Sequence, residues 1–174
     1  MRNIPLKVLT AFALTFVVSA VKAETPTYVE MQINCLARAV YEEARSQSVD
    51  VQIKVAQVIL ARTDDTDPQW PKHVCRNIYL WKQFSWANGP RLFKQPSEHV
   101  AFALARMIAR DLYTNRRPMP HGWECVRNFE RTDFKGASKR GREYFEKKLV
   151  PVARFGSFTA YKSKLPCRHP LRGA

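Results

Sequence analysis

The chain is short of acidic residues and of anything spaced like a metal site. It sets 15 Asp and Glu against 29 Lys and Arg, a formal net charge of +14 over 174 residues. Its four histidines, His73, His99, His121 and His169, are scattered and form no His-x-x-x-His or comparable pair. A zinc amidase or peptidase needs such ligands, so no metal is expected, and no cofactor motif is visible. The four cysteines include no Cys-x-x-Cys, which argues against a structural zinc site. The N-terminal apolar run, Val8 to Val21, is too short for a comfortable membrane span of about 20 residues. There is no internal repeat, low-complexity tract or linker, so one domain is the natural count.

What is present at the N-terminus reads as an export signal. Arg2 and Lys7 precede the apolar run, and Val21-Lys22-Ala23 has compact residues at the −3 and −1 positions of a cleavage site. The expectation is a signal peptide at 1–23, cleaved after Ala23, and one mature domain at 24–174; the alternative is an uncleaved inner-membrane tether. Cleavage removes Arg2, Lys7 and Lys22 and no acid, taking the net charge from +14 to +11. Such a field suits nucleic acid, anionic lipid or an acidic wall polymer. An exported, periplasmic or secreted protein meets the last two first, so the expected partner is an anionic cell-wall or membrane surface and not a specific nucleic acid. A monomer is expected. Cys35, Cys75, Cys125 and Cys167, an even number in an exported chain, read as two disulfides. Three pairings satisfy the count, and the spacing does not choose among them.

The helical signal is strongest from Tyr28 to Arg45. Stepping about 100° per residue from Val40 places Val29, Ile33, Leu36, Val40 and Ala44 within about 40° of one line, a buried stripe. Glu43 falls about 60° away, at its margin, and Glu42 about 160° away, toward solvent. Partial burial disfavours the ionised carboxylate, so Glu43 is the candidate for a proton donor working near neutral pH. The plainer alternative is a surface pair between Glu43 and Arg45 or a lysine. Tyr41 and Arg45 read as structural, Arg45 holding the helix end.

Further along, Ser48 or Asp50 caps a second helix from Val51 to about Arg62, with Val51, Val55, Val58, Ile59 and Arg62 on one side. Thr63 to Pro71 is a break. Pro96-Ser97-Glu98 opens a third helix that carries Val100, Ala103, Leu104, Met107, Ile108 and Leu112 inward and stops before Arg116. Met119 to Asp133 reads as irregular, Gly136 to Leu149 as a basic amphipathic helix, and residues 152–161 as a short strand or hairpin around Phe155-Gly156-Ser157-Phe158.

Glu43-Ala44-Arg45, Ala56-Gln57-Val58-Ile59-Leu60, Pro71, Cys75 and Gln83-Phe84-Ser85-Trp86 occur in an order that resembles the catalytic domain of the SleB/CwlJ-type cell-wall hydrolases, the spore-cortex-lytic enzymes and their phage and proteobacterial relatives. The likeness is strong from Cys35 to Trp86 and weaker from Val152 to Tyr161. Ser46 and Gln47 stand where the family usually has Gly-Glu, and Ala61 replaces an Asn before Arg62. The resemblance implies an α+β, mainly α-helical, lysozyme- or lytic-transglycosylase-like single domain, with a short β element near residues 152–161. It also implies cleavage of peptidoglycan glycan strands between N-acetylmuramic acid and N-acetylglucosamine, with Glu43 as general acid and then base, as in a lytic transglycosylase or a phage endolysin. Gln83, Phe84, Ser85 and Trp86 are the expected substrate contacts. The aromatic rings would offer apolar faces to sugar C–H surfaces, and Gln83 and Ser85 hydrogen bonds to hydroxyl and N-acetyl groups.

Hydrolysis by a muramidase needs a second carboxylate. Glu98, Glu124, Glu130 and Asp133 are the candidates, and none sits in a recognisable motif. A non-enzymatic cationic wall-binding module is the remaining alternative.

Overall fold

The computed structural model describes residues 26–81, 83–132 and 139–165. The expected signal peptide with its cleavage site, Asp133, the expected helix start at Gly136 and Cys167 lie outside these residues. In chain order the elements are α1 (Tyr28–Ala44), α2 (Val49–Asp64), α3 (Val74–Ile78), α4 (His99–Asn115), β1 (Val126–Arg131), α5 (Lys139–Lys148), β2 (Leu149–Phe155) and β3 (Phe158–Ser163), with 3₁₀ turns at Ser85–Asn88 and Pro90–Phe93. The three strands form one antiparallel sheet in the order β1-β3-β2. The architecture is α+β and mainly helical, as expected.

α1 begins where the Thr27 hydroxyl accepts from the Glu30 amide at 3.3 Å, satisfying one of the free donors of the first turn. Its inner face carries Ile33, Leu36, Val40 and Ala44 at zero exposure against Val55, Val58 and Ile59 of α2 and Ile108 and Leu112 of α4. Each large aliphatic side chain buried this way contributes roughly 1.5–3 kcal/mol. The Cys35–Cys75 disulfide ties α1 to α3 across 40 residues of sequence. Cys125 is disulfide-bonded too, and no free cysteine is found among the described residues.

The β2–β3 turn is pinned by glycine. Gly156 has φ 54°, a left-handed conformation, and a Cβ there would lie 2.8 Å from both Gln47 Oε1 and Val51 Cγ2. Ser157 donates to Gln47 Oε1 from its amide (3.3 Å) and its hydroxyl (3.2 Å), fastening the hairpin to the α1–α2 connection.

Several expectations need correction. Val29, on the outer edge of the first turn of α1, is exposed and does not belong to the buried stripe. Glu42 does not face open solvent: it pairs with Arg38 one turn back at 2.7 Å and is largely covered. In α4 the inward residues are Ala105, Ile108, Ala109 and Leu112, while Val100 (87% exposed), Ala103 and Met107 (69%) point out. The small side chains of Ala105 and Ala109 let α1 and α4 approach closely, which sets the rotation of the helix. Met119 to Asp133 is not wholly irregular, because Val126–Arg131 pairs with β3. That strand is anchored by a buried ion pair, Arg127 Nε to Asp65 Oδ2 at 2.6 Å.

Candidate active site

Glu43 sits in the last turn of α1, where the helix delivers its side chain beside the 3₁₀ turn Ser85–Asn88. Its Oε1 accepts a hydrogen bond from the indole Nε1 of Trp86 at 2.9 Å. The helix-end pairing with Arg45 does not form. Arg45 Nε instead meets Glu98 Oε1 at 2.7 Å and its guanidinium lies over the Tyr41 ring, while the Tyr41 hydroxyl accepts from the Glu98 amide. Tyr41 and Arg45 thus join the end of α1 to the start of α4, leaving Glu43 to its own surroundings.

Those surroundings raise the Glu43 pKa. Burial is the largest cause, opposed by the Trp86 hydrogen bond; the neighbouring Glu42 charge raises it further, and Arg131 and Arg62 lower it. Arg62 lies beneath. It is fully buried, and desolvation brings its pKa down to about 10, against the pull of Glu43. Its Nε donates to the Arg127 carbonyl at 2.6 Å, and its guanidinium packs on Trp70 (4.7 Å) and Phe84 (5.5 Å). Arg131 enters from β1. Alternation along the strand puts it on the same face as Phe129, which packs on Phe84, Phe155 and Phe158.

Phe84 and Trp86 are 4% and 3% exposed. They pack on one another at 6.0 Å, and the Arg38 guanidinium lies 5.8 Å from the Trp86 ring. Their rings are therefore covered by protein rather than presented to a sugar, and what the segment brings to Glu43 is the indole N–H. Gln83 is half-buried and Ser85 exposed, both at the surface beside the site.

Of the candidate second carboxylates, Glu98, Glu124 and Glu130 are found in other settings. Glu98 is held by Arg45, and the exposed Glu124 accepts from the Gly122 amide. Glu130 is half-buried, and burial raises its pKa. It stands opposite Thr159 in the sheet, on the face away from Phe129 and Phe158. Tyr161, on the Thr159 side of β3, meets the Phe145 ring of α5 at 4.9 Å, so this is the face that α5 approaches. Among the described residues no group of three or more His, Cys, Asp and Glu is placed to hold a metal ion.

A family model described as Cell Wall Hydrolase matches residues 46–155. The chain belongs to the cell wall hydrolase family. The match takes in α2, the Gln83–Trp86 segment and the sheet as far as Phe155, and it begins just beyond Glu43. No curated protein and no solved structure matches the chain. Family membership makes peptidoglycan the substrate class. Together with the disulfides it assigns the protein to the periplasm or the outside of the cell. Among the described residues no helix is long and apolar enough to cross a membrane.

Arg131 was missed by sequence reasoning, and Arg62 was read only as an inward position on α2. Arg62 carried a signal, a charge on an otherwise apolar helix face. Arg131 carried none, because its strand depends on pairing with residues far along the chain.

Proposed function

We propose that this cell wall hydrolase cleaves the glycan strand between N-acetylmuramic acid and N-acetylglucosamine, with Glu43 as the acid and then the base of a lytic transglycosylase. The observation that carries the reading is the state of Glu43: largely buried, raised in pKa, and oriented by the Trp86 indole. A carboxyl group that holds its proton to a higher pH than an ordinary Glu can deliver it to the glycosidic oxygen as the C1–O bond breaks. Glu43, now a carboxylate, is stabilised by the indole N–H of Trp86 and by the charges of Arg131 and Arg62. It takes the proton from the muramoyl 6-hydroxyl as that oxygen attacks C1, closing a 1,6-anhydro ring and regenerating the acid.

Glu98, Glu124 and Glu130 stand in other settings, which supports one carboxylate acting twice over a muramidase pair; Asp133, the fourth candidate, lies outside the described residues. Before this step the chain is exported by a signal peptide cleaved after Ala23, and the basic surface holds the mature protein on the wall. Mass spectrometry of the products tests the mechanism. Transglycosylation leaves 1,6-anhydro ends, about one water (18 Da) lighter than hydrolytic ends, with no ¹⁸O taken from labelled solvent. Reducing ends that carry solvent ¹⁸O would replace it by hydrolysis.

A further inference from the structure

With Phe84 and Trp86 enclosed, exposed aromatic surface is offered by two residues just upstream in sequence. Tyr79 is 42% exposed and Trp81 69%. Tyr79 closes α3 as its C-terminal cap and meets the Trp86 ring edge-on at 6.4 Å, the ring whose N–H reaches Glu43. Trp81 stands in the following turn, where the Gln83 amide donates to the Leu80 carbonyl at 3.1 Å, immediately before Phe84. Trp is seldom left so open, because its large apolar face gains most from burial.

We propose that Tyr79 and Trp81 form a glycan-binding platform beside Glu43, on which a saccharide unit of the peptidoglycan strand next to the cleaved bond stacks by its C–H face. This rests on the reading of Glu43 as the acid, since it places the platform along the same strand. The chemistry suits a pyranose ring, which has one largely apolar face and a rim of hydroxyl groups. Two aromatic side chains supply rigid contact area with few torsions to freeze. The Tyr79 hydroxyl, protonated at neutral pH like any tyrosine, adds a donor for the sugar rim. Arg38, whose guanidinium lies 5.8 Å from the Trp86 ring, is tied to Glu42.

The test uses the full chain carrying Glu43→Gln and soluble, peptide-free oligomers of alternating N-acetylglucosamine and N-acetylmuramic acid, titrated by calorimetry. Adding Trp81→Ala is expected to weaken binding about tenfold or more, and Trp81→Phe to retain most of it. On the Glu43 background Trp81→Ala should raise KM and spare kcat. The melting temperature should barely move, because the ring is exposed. An unchanged Kd for Trp81→Ala overturns the platform. So does a Trp81→Ala variant that binds glycan normally but loses binding to anionic phospholipid vesicles, which would make the pair a membrane contact. Cleavage of the oligomers by Glu43→Gln, seen by mass spectrometry, would overturn the acid assignment alone and leave a Trp81-dependent Kd standing.

Discussion

Replacing Trp86 by Phe removes one hydrogen bond from Glu43 and keeps an aromatic ring in the core. A bond to an ionised acceptor is worth roughly 1.5–3 kcal/mol, and to a neutral one roughly 0.5–1.5 kcal/mol. The packing loss of the smaller ring is the same at every pH. The pH-dependent part of the destabilisation should therefore be about 1 kcal/mol larger where Glu43 is ionised than where it is protonated. The sign follows from the pKa. Glu43 is raised above its ordinary 4.5, so the folded state holds a proton that the unfolded state has released. Stability consequently declines as pH climbs from about 4.5 through the folded pKa. Without the indole N–H the folded pKa rises further, and the decline runs to higher pH. The catalytic counterpart is the alkaline limb of kcat/KM, which reports the protonated acid and should shift upward in Trp86→Phe while the maximal rate drops. Chemical denaturation across pH 5–9 and a pH–rate profile on soluble glycan fragments read both effects. Superimposable alkaline limbs with a pH-independent loss of stability would refute the coupling of Trp86 to Glu43.

Three further outcomes are expected. Arg127→Met strands Asp65 as a buried, unpaired carboxylate and should cost about 3–5 kcal/mol in denaturant unfolding, whereas a loss under 1 kcal/mol would mean the pair is well hydrated. Replacing Cys35 and Cys75 by Ser opens a loop of 40 residues and should cost about 4 kcal/mol in the chain-entropy model, read by denaturant unfolding under oxidising conditions. Activity on intact walls should fall at 1 M salt, where screening acts over about 3 Å, while activity on short soluble glycans holds; equal sensitivity would separate the basic surface from wall docking.

Much of the site's frame was legible because it is local. The stripe Ile33, Leu36, Val40 and Ala44 fixes the rotation of α1, and that rotation alone puts Glu43 at the margin of the core. The Phe155-Gly156-Ser157-Phe158 hairpin was readable from its aromatics and turn glycine. Other features depend on distant partners. α4 is apolar on more than one side, so its periodicity does not say that Ala105 and Ala109, rather than Val100 and Met107, meet α1. β1 carries Arg127, Asn128 and Glu130, which hide the alternation of a strand held by β3 and by Asp65. Glu42 is drawn under cover by Arg38, an i,i+4 pair that outweighs its helical angle. Phe84 and Trp86 read as sugar contacts because an aromatic motif shows its chemistry and not its burial; the Phe129 ring that meets Phe84, itself packed on Phe155 and Phe158, comes from a distant part of the chain.

The most direct measurement is turnover of purified peptidoglycan by Glu43→Gln beside the wild type. The amide keeps the size of the carboxyl group and an oxygen for the Trp86 indole, but it has no proton to donate to the glycosidic oxygen. Turnover should fall by about 10²-fold or more, with melting temperature at neutral pH unchanged or higher and glycan binding retained. Wild-type turnover in the Gln variant would contradict the account and remove Glu43 from the chemistry.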